Sequence, residues 1–273
     1  MQRFIHPVKQ GLYDPKYEHD ACGIGFIADL NKEATYQTVK KGLSMLSRLE
    51  HRGSLGGDGA GILIQLPHLF FQKACSELSN MELGSYGAGM VFLPQTPELR
   101  RQCEKEMERM IEEEGLKCLA WRTVPIDDQV ISEKAKESQP NIRQIFIAKS
   151  EGLEDEEFER MLYLIRKRTE KRIRERQLAG NERFYVASLS CRTIVYKGML
   201  TPEQLEQYYL DLQDEEVKST FVLVHSRYST NTFPSWERAH PNRMLVHNGE
   251  INTLDGNVHW MKAREKTMES PIW

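Results

Sequence analysis

The stretch Glu18-His19-Asp20-Ala21-Cys22-Gly23-Ile24-Gly25 sets Cys22 between a short polar leader and an apolar strand. If residues 1–21 were removed, Cys22 would carry a free α-amino group beside its thiol. An α-amine titrates at about 7.7 to 8 and a cysteine thiol at about 8.5, so near neutral pH one residue supplies both nucleophile and base. An unpaired cysteine at the start of a strand is also the ordinary place of a small buried hydrophobe. The residues far downstream decide between the two.

Behind Cys22, residues 23–29 read as a strand whose glycines leave room for a close approach to the backbone. Residues 34–50 read as a helix, with Val39, Leu43, Leu46 and Leu49 on one face. The turn His51-Arg52-Gly53-Ser54-Leu55-Gly56-Gly57-Asp58-Gly59 leads into a buried strand, 60–66, bounded by Pro67. A strand at 86–93 and a helix at 97–114 follow, then strand-like runs at 118–124 and 142–148 separated by a polar segment. The longest helical pattern is 154–179, with Phe158, Met161, Leu162 and Ile165 on its apolar face. Runs 184–189 and 193–197 read as a hairpin. Thr201 caps a helix with Pro202 at its first position; strands at 220–225 and 244–247 and a helix at 254–268 complete the chain. Many neighbouring strands lack a crossover helix, so a mixed or antiparallel sheet is predicted rather than a doubly wound parallel one.

Composition restricts the partners. The chain has 273 residues, 40% hydrophobic and 28% charged, with 37 basic and 40 acidic residues giving a formal net charge of -3. That balance argues against a nucleic acid or an anionic membrane as the main partner. The basic run Arg166–Arg176 contains glutamates and lacks interleaved aromatics, which fits a solvated helix face. Cysteines 22, 75, 103, 118 and 191 form no CxxC pair and no metal-ligand spacing, and their odd number does not suit a disulfide framework. A reducing cytosol is the simplest setting. The leader has no apolar run of signal-peptide length, and no stretch reaches the length of a membrane span, so a soluble, cytoplasmic protein is expected.

Two clusters near the C-terminus carry chemistry. His225-Ser226-Arg227-Tyr228-Ser229-Thr230-Asn231-Thr232 follows the apolar strand Phe221–Val224. An arginine at a strand end among hydroxyl and amide groups can hold a carboxylate by a bidentate pair, although a polar surface loop contains such arginines too. His247-Asn248-Gly249-Glu250-Ile251-Asn252 offers a side-chain amide and an unobstructed backbone N–H, the two donors of an oxyanion hole. Asn-Gly is equally the mark of a tight hairpin turn. With Cys22 these groups supply a nucleophile, a carboxylate anchor and two oxyanion donors, the equipment of an acyl transferase or amidohydrolase for an amino-acid-like substrate.

Together, the string His19–Gly25, the turn His51-Arg52-Gly53, the block His225–Trp236, Ala239-His240-Pro241 and the block His247–Asn257 resemble the class II glutamine amidotransferase domain at the start of glutamate synthase large subunits. The resemblance implies an α+β fold of the N-terminal nucleophile hydrolase type, a four-layer αββα sandwich of mostly antiparallel sheets. It implies that 1–21 are a leader or propeptide and that 22–273 are the glutaminase domain, truncated at its C-terminal end. Cys22 would attack the glutamine side-chain amide, with Asn248 and the N–H of Gly249 stabilising the oxyanion. Arg227, helped by Thr230, would hold the α-carboxylate. Arg52 would order the loop beside the nucleophile, and His240 would belong to a loop covering the site.

The same resemblance assigns ammonia to a synthase module, in cis or in trans, that makes glutamate from 2-oxoglutarate. The FMN and iron-sulfur cluster would lie in that portion and no cofactor in this chain. Two departures stand out. Only Ser54-Leu55-Gly56 separates Gly53 from Gly57, where glutamate synthases carry a longer loop. The acidic ligand for the glutamine α-amino group lies beyond the second block in related domains, and Asp255 is too close to Asn248 to be its substitute. The alternatives are a class II amidotransferase serving another acceptor, which the block His225–Trp236 argues against, and a truncated or unprocessed domain that binds glutamine or a partner without turnover.

Overall fold

Eight strands pair into two four-stranded antiparallel sheets among the residues that the computed structural model describes, which are 11, 23–49, 57–180, 182–227, 233–243, 245–247 and 254–269. The first sheet has β1 (Ile24–Ala28), β8 (Phe221–Ser226), β2 (Ala60–Gln65) and β7 (Thr193–Gly198), in that order. The second has β4 (Lys117–Thr123), β5 (Asn141–Ala148), β3 (Tyr86–Leu93) and β6 (Tyr185–Ser190). Every pairing is antiparallel. This agrees with the mixed or antiparallel expectation.

The alternation of apolar side chains joins the sheets. Ile62, Ile64, Ile194, Tyr196, Val222 and Val224 of the first share one core with Tyr86, Met90, Phe92, Ile142 and Phe146 of the second. Side chains on successive positions of a strand point to opposite faces, so Val91, Leu93, Ile145 and Ile147 emerge on the far side of the second sheet. Two helices cover them: α3 (Pro97–Glu113), through Cys103, Met107, Met110 and Ile111, and α5 (Asp155–Glu175), through Phe158, Leu162, Ile165 and Ile173. Burying one such side chain stabilises by about 1.5–3 kcal/mol. The helix α1 (Tyr36–Ser47) lies against β1 and β8, where Gly42 faces Val222 so closely that a Cβ would strike the valine. The architecture is α+β, two antiparallel sheets packed with helices, as in an N-terminal nucleophile hydrolase sandwich.

The basic run of α5 is a solvated face, as expected: Arg168 pairs with Glu113 and Glu114 of the neighbouring helix, and Lys171 lies 3.7 Å from Glu175. Thr201 and Gln204 bond reciprocally, Thr201 N–H to Gln204 Oε1 at 2.9 Å and Gln204 N–H to Thr201 Oγ1 at 3.4 Å, but the short α6 (Gln204–Tyr208) begins at Gln204 with Glu203 as its N-cap, so Thr201 and Pro202 lie in the turn before the helix rather than at its cap and first position. Two short helices lie in segments for which the sequence pattern predicts no element, α2 (His68–Ala74) and α4 (Glu133–Glu137). Both are shorter than the window over which helical periodicity declares itself.

Two further expectations are corrected. The runs 184–189 and 193–197 are consecutive strands but not a hairpin, because β6 bonds to β3 and β7 to β2. The chain steps from one sheet to the other at Cys191, where Glu159 accepts from the Cys191 N–H at 2.6 Å. Both strands are nearly completely buried, so each needs a ladder partner inside its own sheet. The run 244–247 forms no strand; it contributes one bridge between Asn242 and Leu245, and Met244 lies outside the described residues. The last helix, α7 (Leu254–Glu265), has no buried residue.

Candidate active site

Three backbone segments converge at one end of the first sheet. In the antiparallel register Ile24 lies opposite His225, and Ala60 lies opposite Ser226. Past the ladder the pairing continues: the Ser226 N–H donates to the Gly23 carbonyl at 2.7 Å, and the Arg227 N–H donates to the Gly59 carbonyl at 2.8 Å. The start of β1, the start of β2 and the end of β8 therefore meet where Arg227 leaves the sheet. Cys22 precedes Gly23 directly in the chain. Cys22, Arg52, Thr230, Asn248 and Gly249 themselves lie outside the described residues, whereas Arg227 and His240 lie within them.

Arg227 is partly buried. Its guanidinium is destabilised first by burial and then by the nearby Arg238, with the carboxylate of Asp58 opposing both. A guanidinium keeps its proton regardless, so burial raises the cost of its charge and the Asp58 carboxylate offsets part of it. Asp58 itself is held in the turn Gly57-Asp58-Gly59, whose two glycines have φ of 75° and 146°, backbone angles that L side chains rarely adopt.

Three histidines from separate parts of the chain meet beside this arginine. The rings of His225 and His240 stack with centroids 4.6 Å apart, and His247 stands edge-on to His240 at 4.7 Å. His225 Nε2 lies 3.0 Å from the His247 carbonyl oxygen. A carbonyl only accepts, so Nε2 carries the proton in this bond. Burial, followed by the neighbouring His225, His247, Lys197 and Arg227, pushes His240 down to about 3, which keeps its ring neutral at physiological pH. Asn242 Nδ2 approaches His240 Nε2 at 3.5 Å, consistent with an unprotonated Nε2.

Below the histidines sits Lys197, fully buried in β7. Its Nζ donates to the carbonyls of Glu237 at 3.0 Å and Ala239 at 2.8 Å, and to Asn242 Oδ1 at 2.9 Å. The Tyr185 ring lies beneath it, 4.9 Å from the ring centre. Burial pushes the amine down to about 7, with Arg166 adding to the effect. Three oxygens require three N–H donors, which only the ammonium form provides.

The other thiols are not activated. Cys75, Cys103, Cys118 and Cys191 are free, and burial raises Cys75 to about 11 and the other three to about 12. A reactive cysteine needs the opposite shift.

His240, expected in a covering loop, is in the segment that packs on the strand end, and Arg227 stands beside it. Sequence reading passed over His225, Asp58 and Lys197. A single lysine between Tyr196 and Gly198 in an otherwise apolar strand was the available signal for Lys197. His225 opens the first C-terminal cluster and Asp58 lies in the glycine-rich turn, but neither motif by itself assigns them a role, because the fold brings up their partners His240, His247 and Arg227.

The family described as glutamine amidotransferases class-II matches this chain over residues 22–273. The large chain of glutamate synthase [NADPH] from Bacillus subtilis (strain 168) is 53% identical over 270 residues, which are 97% of this chain and 18% of that protein. The corresponding large chain from Azospirillum brasilense is 44% identical over 268 residues, covering 96% of this chain and 18% of that one. A chloroplastic ferredoxin-dependent glutamate synthase of Oryza sativa subsp. japonica is 43% identical over 263 residues, 94% of this chain and 16% of its own length. The chain thus spans less than one fifth of the curated relatives it matches.

Proposed function

The chain belongs to the class II glutamine amidotransferases, and on that footing we propose that it is the glutaminase part of a glutamate synthase. Glutamine and water become glutamate and ammonia. The Cys22 thiolate attacks the side-chain amide carbon, the tetrahedral intermediate expels ammonia, and the proton it needs comes through the α-amine of Cys22. Water then attacks the γ-glutamyl thioester, glutamate leaves and the thiol is restored. This requires that residues 1–21 be a propeptide, and the family match beginning at residue 22 supports that reading.

The remaining roles follow from placement and from the family motifs. Arg227 binds the glutamine α-carboxylate with help from Thr230, and its desolvated guanidinium is suited to an anion. Asn248 and the Gly249 N–H stabilise the oxyanion, Arg52 orders the loop beside the thiol, and His240 shields the strand end. Ammonia passes to a synthase module in the same polypeptide, which joins it to 2-oxoglutarate. Flavin and iron-sulfur chemistry belong to that module. Among the described residues no group of three or more His, Cys, Asp or Glu side chains is placed to hold a metal ion. No helix among the described residues is long and apolar enough to cross a membrane.

The observation that carries this reading is the bond from Ser226 N–H to the Gly23 carbonyl, which brings the chain next to Cys22 against the chain next to Arg227. An intact-mass measurement followed by a glutaminase assay tests it. The expected product begins at Cys22 and releases ammonia from glutamine, and Cys22→Ala abolishes turnover. A chain that keeps residues 1–21 and is inactive supports binding without turnover instead, and an active Cys22→Ala protein disproves the mechanism.

A further inference from the structure

We propose that Lys197 is a positioning residue of this site: from inside the sheet it ties the segment Glu237–Asn242 down onto the end of β8 and so holds Arg227 and the His247 peptide in register. The inference rests on the glutaminase reading for its effect on substrate and on geometry alone for its effect on structure.

All three of the strongest bonds made by the Lys197 ammonium go to this one segment, to Glu237, Ala239 and Asn242. Removing an ammonium from water is costly, and an apolar side chain of similar volume would fill the same space without that cost. What the charge adds is a three-point attachment for backbone that belongs to no strand. The neighbouring strand is shaped to receive it. A Cβ at Gly61 would collide with the His240 carbonyl and come within 2.7 Å of Lys197 Cβ, so only glycine lets the segment lie flat there. A Cβ at Gly59 would meet Ala239 Cβ at 3.0 Å and Arg227 Cβ at 3.5 Å, which places the tied segment directly beside the arginine.

Before the segment, Trp236 is fixed independently, its indole N–H donating to the Ala135 carbonyl at 3.1 Å. Within it, His240 transmits the constraint. Its ring stacks on His225, which bonds to the His247 carbonyl, and it also abuts His247. His247 immediately precedes Asn248. One buried amine is thereby connected through packed groups to both the carboxylate anchor and the peptide entering the oxyanion donors, while touching no reacting atom itself.

The test is Lys197→Met in the intact protein, read by glutamine kinetics and by amide hydrogen exchange. Peptides spanning 237–247 should exchange about tenfold faster or more while those of β3 and β5 stay protected, and the KM for glutamine should rise by about tenfold with a smaller change in kcat. Asn242→Ala, which removes one acceptor and keeps the amine, should shift both readouts the same way by less, and it carries the test if Lys197→Met does not fold. Unchanged exchange and KM in a folded variant overturns the proposal, as does uniform loss of protection across the core. If the wild-type protein releases no ammonia from glutamine, the glutaminase reading fails while the exchange measurement still decides the role of Lys197.

Discussion

Gly23 and Ser226, more than two hundred residues apart in the chain, are joined by a 2.7 Å hydrogen bond from the Ser226 N–H to the Gly23 carbonyl. The bond extends the β1–β8 ladder one step beyond Ile24 and His225. It makes the spacing between Gly23 and Arg227 a property of strand register rather than of loop conformation. A one-residue slip would also send Val222 and Val224 to the wrong face of the sheet, so core burial maintains that spacing.

Substituting Arg227 should separate binding from chemistry. A charge-assisted bidentate pair contributes about 1.5–3 kcal/mol, so Arg227→Ala is expected to raise the glutamine KM by about 10- to 100-fold. Arg227→Lys should recover little of this, because a lysine cannot present two parallel donors to a carboxylate. Steady-state kinetics with glutamine would measure both, and an unchanged KM for Arg227→Ala would remove it from the substrate site.

Asn248 should act on the other parameter. Loss of one oxyanion donor lowers kcat by about 100-fold or more, and Asn248→Ala should do so with little change in glutamine binding. A defect confined to KM would place Asn248 in ground-state binding instead.

His240 predicts a pH dependence of stability. Its value in the folded chain is lowered to about 3, against about 6.5 when unfolded. Between those values the unfolded state binds the extra proton, so stability is complete above about pH 6.5 and declines as pH falls towards 3. Denaturant melts from pH 7 to 4 should show a shallower decline in His240→Leu than in the wild type. Equal slopes would mean that His240 takes up its proton without unfolding.

The pair Arg122–Asp211 predicts a large effect on stability away from the site. Arg122 Nη1 and Nη2 donate to the two oxygens of Asp211 at 2.8 and 2.7 Å, and the Tyr196 hydroxyl donates to the same carboxylate at 3.1 Å. Asp211 is 3% exposed, so Asp211→Ala leaves a buried guanidinium uncompensated. The expected loss is about 3–5 kcal/mol in denaturant unfolding. A loss under about 1 kcal/mol would show that Arg122 finds another partner or water.

The apolar stripes of α1, α3 and α5 were legible because burial repeats with the helical period, and β2 and β3 because each is a short, continuously buried apolar run. The hairpin expected at 184–197 failed for the complementary reason. A strand buried on both faces carries no alternation that names its partner, and β6 and β7 are divided between two sheets by packing that no local signal records.

The sequence by itself determined the family, through Cys22 at a strand start and the two motif blocks beginning at His225 and His247, because those groups are contiguous and their chemistry is local. Tertiary structure alone decided that Gly23, Gly59 and Arg227 share one sheet end, that the rings of His225, His240 and His247 pack together beside them, and that a buried lysine fastens the segment between the blocks. Hydrogen-bond register and the shielding of charge depend on neighbours brought together across the fold, and sequence order does not encode that proximity.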